Sequence, residues 1–221
     1  FGEQVASKDG LNDPTFVPEG RQNAWLEWIP EQWNDFCQKH RNANYLILGG
    51  DISDGPQTKT LGVDSFATST DDQVDMAVKL LKPLIGPRTK VYGINGSGYH
   101  GGEAQGTCID KRITEKLGGT FKANVFEFEV GKEKIQVAHG AGTTNNPLNY
   151  LLREIMLSKT DAQKRKIQSP TIIERNHLHL MFSVQDSAGV WGVLNGCWQY
   201  TTPFMQNKSA NITPSIGGTI I

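Results

Sequence analysis

The sequence predicts an α/β protein built from layers of helices and strands, with a mixed sheet or a pair of sheets. Short apolar runs bounded by glycine alternate with amphipathic helical segments over the first two thirds of the chain, and strand-like segments dominate the last third. This order of elements is typical of layered α/β domains. The 221 residues are enough to bury a sizeable core, so we expect a single domain over residues 1–221.

The N-terminal half is predicted to contain two helices and two strands. Residues 1–24 are polar and have no sustained period, so we expect a loop there. Proline is tolerated in the first turn of a helix, so Pro30 can begin one, and Asp71 and Asp72 are candidate caps for a second helix. The predicted elements are a helix over about 30–40 with Trp25 and Trp28 on a preceding turn or helix, a strand over 45–49, a helix that buries Val74, Ala77, Val78, Leu81 and Ile85, and a strand over 90–94.

The C-terminal half is predicted to be richer in strands. The segment 125–130 alternates apolar and acidic residues, which indicates a strand with one solvated face. Helices are expected where apolar residues recur at three- and four-residue steps. The predicted elements are helices over 110–117 and 147–166, the second with Leu148, Leu151, Leu152, Ile155 and Met156 on one face, and strands over 125–130, 135–138, 171–174, 180–184, 190–194 and 218–221.

Composition narrows the classes of function. The formal net charge of −1 gives no basic field that would favour tight, non-specific binding to DNA. No apolar run has the length of a membrane span and no signal peptide is visible, so we expect no membrane partner. Cys37, Cys108 and Cys197 are far apart and form no C-x-x-C pair, which favours reduced thiols in a cytoplasmic protein.

The segment that organises the chain carries an aspartate at the end of an apolar run. Residues 45–48 lead into Gly49, Gly50 and Asp51, and a second aspartate, Asp54, follows three positions later. A carboxylate is therefore expected at the carboxyl end of a buried strand, where open α/β sheets place their ligands. Burying a carboxylate is costly unless it is paired or binds a metal. Asp51 therefore needs a partner elsewhere in the chain.

Four of the five histidines lie at or just after the end of a predicted strand, and these are His100, His139, His177 and His179. His40 lies on a predicted helix and is assigned a structural role. If the strands run parallel, the four strand-end imidazoles gather with Asp51 along one edge of a sheet. Imidazole and carboxylate are the usual ligands of zinc, iron and manganese, and one carboxylate can bridge two ions about 3.5–4 Å apart. The sequence therefore predicts a metal site made from strand ends.

The order of these motifs resembles the calcineurin-like metallophosphoesterase family, in particular its small phage and bacterial members. The resemblance covers about residues 45–180, and it rests on Gly50-Asp51-x-x-Asp54-Gly55, a Gly/Asn loop with His100, a strand ending in His139, and His177-x-His179. It implies a layered α/β/β/α sandwich with mixed sheets flanked by helices. It also implies two divalent metal ions, drawn from manganese, iron, zinc and nickel.

The resemblance also implies a role for each strand-end residue. Asp51 would bridge the two ions. His139 and His177 would bind the second ion, and His179 would bind the first. Asp54 would orient a ligand or the loop that follows the strand.

The Gly/Asn loop carries two further implied roles. His100 would act on the phosphate, by stabilising charge or by protonating the leaving oxygen. The family has an asparagine ligand of the second ion just before this histidine, and either Asn95 or Ser97 can stand for it here. An amide oxygen is the better ligand for a hard ion, which favours Asn95.

Two features depart from the family pattern. The Asp-x-His element that supplies two ligands of the first ion is absent before Asp51, so we expect that this sequence starts just downstream of it and is N-terminally incomplete. If the chain is complete, the first ion keeps only Asp51 and His179. Asn176 stands where the family has glycine before His-x-His, and asparagine also accepts left-handed backbone angles.

The function implied by the resemblance is metal-dependent hydrolysis of phosphoester bonds, by a phosphodiesterase or phosphatase with a dinuclear metal centre. Two alternatives remain open. One is a nuclease of the same family that acts on DNA or RNA, and the other is a catalytically inactive binding module on this scaffold. The expected partner is a phosphoester substrate, with nucleotides and single-stranded nucleic acid among the candidates. The oligomeric state is left open.

Overall fold

The secondary structure comes from a computed structural model, which describes residues 22–57, 65, 67–101, 108–140, 146–201 and 213–221. The helices in these ranges are α1 Gln22–His40, α2 Thr70–Leu81, α3 Gly98–Gly101, α4 Ile109–Lys116 and α5 Pro147–Arg165, and a 3-10 turn over Lys82–Leu84 follows α2. The strands are β1 Tyr45–Leu48, β2 Lys90–Gly93, β3 Thr120–Phe121, β4 Val125–Val130, β5 Glu133–Ala138, β6 Ile172–Arg175, β7 Phe182–Gln185 and β8 Trp191–Leu194.

The described strands form two sheets. The first is parallel, with the order β1-β2-β3. The second is mixed, with the order β4-β5-β6-β8-β7, and in it β5, β6 and β8 are parallel while β4 and β7 pair antiparallel with their neighbours. The carboxyl ends of β1 and β2 therefore lie at one edge of the first sheet, and those of β5 and β6 lie at one edge of the second.

Apolar side chains divide into three layers, which confirm the predicted α/β/β/α order. Helices α1, α2 and α4 pack on the first sheet through a core that includes Trp33, Cys37, Leu48, Val74, Ala77, Leu81, Val91, Ile109 and Ile113. The two sheets pack face to face through Ile47, Tyr92, Ile94, Phe126, Phe128, Ile135, Val137 and Ile172. Helix α5 covers the other face of the second sheet, where Ile155 meets Ile173, Val184 and Val190.

Helix α1 begins eight residues before the predicted start, and Pro30 lies inside it. Its buried residues Ile29, Trp33 and Cys37 are four apart, so one buried apolar stripe continues across the proline. The predicted loop over 1–24 is therefore wrong for residues 22–24, and residues 1–21 lie outside the described part of the chain.

Helix α2 confirms part of the predicted buried face but not the predicted cap. Val78 is half-buried, and Ile85 lies beyond the helix, which ends at Leu81. Val74, Ala77 and Leu81 are buried. The cap is Ser69, whose hydroxyl accepts the Asp72 N–H at 3.3 Å, while Asp71 and Asp72 lie in the first turn. A hydroxyl one residue before the helix reaches this N–H, whereas acidic residues within the first turn favour the helix through its dipole.

Helix α5 and the C-terminus differ from the prediction in which apolar residues are covered. Leu151 and Ile155 are buried, together with Ser158 and Ala162. The other predicted members of the apolar face are exposed: Leu148 by 40%, Leu152 by 38% and Met156 by 60%. The sheet contacts a narrower face of the helix than the apolar pattern suggested. The segment 218–221 forms no strand, and nearby only Ile216 bridges to Cys197 among the described residues.

Two expectations from composition can be compared with the described residues. All three cysteines are free. Within the described ranges, the helices are too short or too polar to cross a lipid bilayer. The expectation of one domain over residues 1–221 stays a prediction.

Candidate metal centre

Three predicted ligands meet where strands of both sheets end. Asp51 follows β1, His139 follows β5 directly, and His177 lies two residues beyond β6. One oxygen or ring nitrogen from each residue lies within 4.8 Å of the others, a grouping that can hold a metal ion. The sequence predicted this gathering along the edge of one sheet. The structure instead takes the carboxylate from the first sheet and the two imidazoles from the second.

The distances within this cluster, which we name the Asp51 cluster, fit a set of metal ligands. Asp51 Oδ2 lies 2.9 Å from His139 Nε2 and 3.9 Å from His177 Nδ1, and the two ring nitrogens are 3.1 Å apart. Ligand atoms at about 2.0–2.1 Å from a tetrahedral zinc ion stand roughly 3.3 Å from one another. One carboxylate and two imidazoles also form a donor set that suits divalent transition metals.

The ring of His139 is oriented by the first sheet. Its Nδ1 atom lies 2.7 Å from the carbonyl oxygen of Gly49. Because a carbonyl oxygen can only accept, Nδ1 carries the proton and Nε2 faces Asp51 and His177. A metal-binding histidine commonly donates its second ring N–H in this way, which fixes both the tautomer and the ring orientation.

Among the described residues, three of the six non-glycine residues with a positive φ angle are predicted ligands. Asp51, His177 and His179 have φ angles of 53°, 69° and 55°, in the left-handed region. Side chains larger than glycine rarely adopt these angles, and each instance costs on the order of 1–3 kcal/mol. Such strain is retained where the surroundings impose it, which is common at functional sites.

The charges in the cluster favour an ionised carboxylate beside basic nitrogens. Burial would raise the pKa of Asp51, but hydrogen bonds to His139 and His177, together with the charges of His139 and His100, hold that pKa well below its usual range. Burial would lower the pKa of His139, but the contact with Asp51 outweighs burial and raises it. His179 differs, because burial lowers its pKa to about 4 and so keeps that imidazole neutral.

The loop after β2 lies directly against Asp51. The Ser97 N–H and hydroxyl donate to Asp51 Oδ1 at 2.7 and 3.1 Å. The amide of Asn95 is engaged elsewhere, since its Nδ2 donates to Asn124 at 3.0 Å and its Oδ1 accepts from Cys108 Sγ at 3.0 Å. The choice of Asn95 over Ser97 as a metal ligand stays a prediction.

His100 and Asp54 adjoin the cluster without belonging to the three-residue group. The Nδ1 atom of His100 lies 2.8 Å from the carbonyl oxygen of Asp54, so this ring nitrogen donates and Nε2 is left for other contacts. Burial raises the pKa of the Asp54 carboxyl. Gln73 fixes the next residue in the loop, because its side chain bonds both the N–H and the carbonyl of Gly55, at 2.8 and 3.0 Å.

Sequence reasoning missed Asp110, which joins the loops after β1 and β2. Its carboxylate is 2% exposed. Oδ1 accepts the Ile52 N–H at 3.1 Å, and Oδ2 accepts the N–H groups of Gly96 and Asp51 at 2.8 and 3.3 Å. An acidic residue in the first turn of a helix is common, so the sequence carried no sign of this contact.

A second missed network ties the ends of β5, β6 and β8 together. The Asn195 amide donates to Glu174 Oε1 and, at 3.0 Å, to Asn176 Oδ1. Asn176 in turn donates to the Ala138 carbonyl at 3.2 Å, one residue before His139. Burial raises the pKa of Glu174 to about 7. This network supports the two backbone segments that carry the imidazoles of the Asp51 cluster.

Comparison with known proteins gives distant structural neighbours only. No protein-family model matches the chain, and no curated protein matches it. A structure described as a novel archaeal phosphodiesterase has a TM-score of 0.42 and 11% identity, over 79% of this chain and 78% of that chain.

Two further neighbours have lower scores. Vps29 of Entamoeba histolytica in complex with zinc has a TM-score of 0.38 and 10% identity, over 74% of this chain and 63% of that one. A predicted phosphoesterase of Streptococcus pneumoniae TIGR4 has a TM-score of 0.31 and 14% identity, over 56% of this chain and 65% of that one. This chain therefore spans less than two thirds of the length of these two neighbours.

Proposed function

We propose that this protein is a metal-dependent hydrolase of phosphoester bonds, acting as a phosphodiesterase or phosphatase. The observation that carries the proposal is the Asp51 cluster, in which one carboxylate oxygen and two ring nitrogens face one another within 4.8 Å. When bound, divalent cations in such a site activate water and offset the negative charge of a phosphate. The order of motifs from Gly50 to His179 supports the same class of reaction.

We further propose that the site holds two ions, with Asp51 shared between them. Asp51 supports this role because its two oxygens differ in their contacts: Oδ2 faces the imidazoles, whereas Oδ1 accepts from Ser97. His179 is the candidate ligand for the other ion, since burial keeps its imidazole neutral and thus able to offer a lone pair. Metal content per chain tests this number directly, and one equivalent at saturation would contradict it.

The remaining residues would act on the substrate. His100 donates through Nδ1 to the Asp54 carbonyl, which leaves Nε2 to hold a proton near the leaving oxygen or to bond a phosphate oxygen. A general acid placed in this way contributes roughly 10²–10⁴-fold to the rate. The peptide carbonyl of Asp54 orients the ring of His100, and Gln73 fixes Gly55, the residue that follows Asp54.

The test replaces the imidazoles of the cluster one at a time. His139→Ala and His177→Ala should each lose bound metal and hydrolysis of bis-p-nitrophenyl phosphate, with little change in circular dichroism. The loss should exceed the roughly 10–100-fold typical of residues that only support a ligand. Assays with p-nitrophenyl phosphate in parallel separate a phosphatase from a phosphodiesterase.

The matched control is His40→Ala, since His40 lies near the end of α1 and contacts the ring of Phe36. It should bind metal and turn over substrate like the wild type. Wild-type turnover in His139→Ala or His177→Ala would refute the site. Asn95→Ala and Ser97→Ala compare the two candidate oxygen ligands. A loss of metal affinity well above the roughly 10–100-fold of a supporting residue identifies a ligand, whereas a loss within that range in Ser97→Ala reflects its hydrogen bond to Asp51.

A further inference from the structure

Asp110 is a buried acid that lies outside the metal ligands of the proposed function. It sits in the first turn of α4, and its side chain accepts three backbone N–H groups from two different loops. Two of these groups belong to Asp51 and Ile52, after β1. The third belongs to Gly96, after β2. One carboxylate therefore joins the carboxyl ends of two parallel strands.

Both loops held by Asp110 act on the same side chain. The first loop contains Asp51 itself, whose φ of 53° must be imposed by its surroundings. The second contains Ser97, which donates twice to Asp51 Oδ1. The backbone and one carboxylate oxygen of Asp51 are thus both fixed by contacts that depend on Asp110, and the other oxygen, Oδ2, is directed at His139.

We propose that Asp110 is a positioning residue, which holds the carboxylate of Asp51 in the orientation that binds metal. This inference rests on the proposed function, in which Asp51 binds a metal ion. An ionised carboxylate suits the task because it has only acceptor sites, and here three backbone N–H donors face it. Asparagine at this position has one acceptor oxygen and an NH₂ group, so it must turn a donor toward at least one of the three N–H groups.

The test is Asp110→Asn, measured in two ways. In protein without metal, amide hydrogen exchange should accelerate at least about 10-fold at Asp51, Ile52 and Gly96 relative to amides of the second sheet such as Val137. With metal added, the affinity for Zn²⁺ or Mn²⁺ should fall about 10–100-fold, as is typical when the group that orients a ligand is removed.

Ile113→Val is the matched control, because Ile113 is fully buried on the same helix and its side chain has no polar group that could accept the loop N–H groups. It should lower the unfolding temperature without a selective change at the three amides or in metal affinity. Equal affinity in Asp110→Asn and the wild type would overturn the proposal, and so would equal exchange at the three amides.

Two further results keep the inference distinct from the proposed function. The wild type should itself protect the amides of Asp51, Ile52 and Gly96 from exchange, and rapid exchange there would overturn the role of Asp110 even if the variant fails to fold. If the wild type binds no divalent metal, the proposed function fails. The exchange comparison then still decides whether Asp110 holds the loop.

Discussion

Asp51 and Gly96 pack closely against each other at the candidate site. A Cβ atom placed on Gly96 would lie 2.0 Å from Asp51 Oδ1 and 2.2 Å from Asp51 N. Contacts below 3.0 Å do not occur for real Cβ atoms, so position 96 accepts only glycine if Asp51 is to keep its place. Gly96 therefore allows the loop after β2 to come close to the loop after β1.

Replacing Gly96 by alanine should displace the Asp51 carboxylate. We expect Gly96→Ala to reduce metal affinity and phosphoester hydrolysis by about 10–100-fold, the range seen when the support of a ligand is disturbed. Titration with Zn²⁺ or Mn²⁺ followed by calorimetry measures the affinity.

Gly98→Ala provides the control two residues further along, at the start of α3, since a Cβ atom at Gly98 would meet nothing within 4 Å. This variant should behave like the wild type in both assays. If Gly96→Ala also binds metal normally, the loop adapts to the methyl group and Asp51 is not fixed by this contact.

Individual site residues were predictable from the sequence where they follow an apolar run. Asp51, His139 and His177 each come at or soon after a strand, and parallel strands bring such positions together. Asp110 and Asn195 were not predictable in this way. Asp110 bonds to Ile52, 58 positions away, and polar contacts over such separations depend on the packing of helices against sheets, which leaves no periodic pattern in the sequence.

At the scale of elements, helix α5 shows how an apolar pattern can exceed the buried face. Ile155 is 2% exposed and packs on the second sheet, whereas its neighbour Met156 is 60% exposed. The sequence placed both on one face, because positions 148, 151, 152, 155 and 156 all fit a wide helical stripe. Which edge of that stripe is covered depends on how the helix is rotated against the sheet.

This difference in burial predicts different losses of stability. Ile155→Ala should lower the free energy of unfolding by about 2–5 kcal/mol, because it removes buried methyl groups and leaves a cavity. Met156→Ala should change it by no more than about 0.5 kcal/mol. Denaturant unfolding of both variants gives the comparison.

Equal losses for the two α5 variants would mean that α5 lies in another rotation. A large loss of stability for Met156→Ala alone would mean that the face of α5 with Met156, and not the face with Ile155, packs against the sheet. Leu152→Ala, at a position that is 38% exposed, should fall between the two.

At the scale of the whole molecule, the sequence predicted an α/β layered fold but left open whether it has one sheet or two. The lengths and apolar patterns of the strands predict where strands occur and which face of each is buried. They do not predict the order in which the strands pair, because that order depends on contacts between distant segments. The resemblance supplied the α/β/β/α order, which the packing of the two sheets confirms.

Global stability should depend on pH through Glu174. Its pKa is raised from 4.5 to about 7 because it is buried. The folded protein therefore keeps a proton that the unfolded chain releases above about pH 4.5. The contribution of Glu174 to the free energy of unfolding is fully present below that pH. It is lost as the pH rises toward 7, by a total of about 3 kcal/mol.

Glu174→Gln should remove this part of the pH dependence, since glutamine does not titrate in this range. We expect the difference in unfolding free energy between variant and wild type to grow between about pH 5 and about pH 8. Urea unfolding at both values measures it. Glu133→Gln, at an exposed position of β5, is the control, and identical pH profiles for the wild type and Glu174→Gln would contradict the assignment.

The hydrogen bond from His139 to Gly49 spans the seam between the two sheets. Neighbouring residues in a strand are about 3.3 Å apart, so a slip of one layer by a single residue would take the acceptor away from Nδ1. The Nδ1 proton of His139 therefore reports on the alignment of the two sheets. We expect its NMR signal to be sharp and slow to exchange only while the sheets are aligned, so that a shift of one sheet against the other is detected even when all strands stay paired.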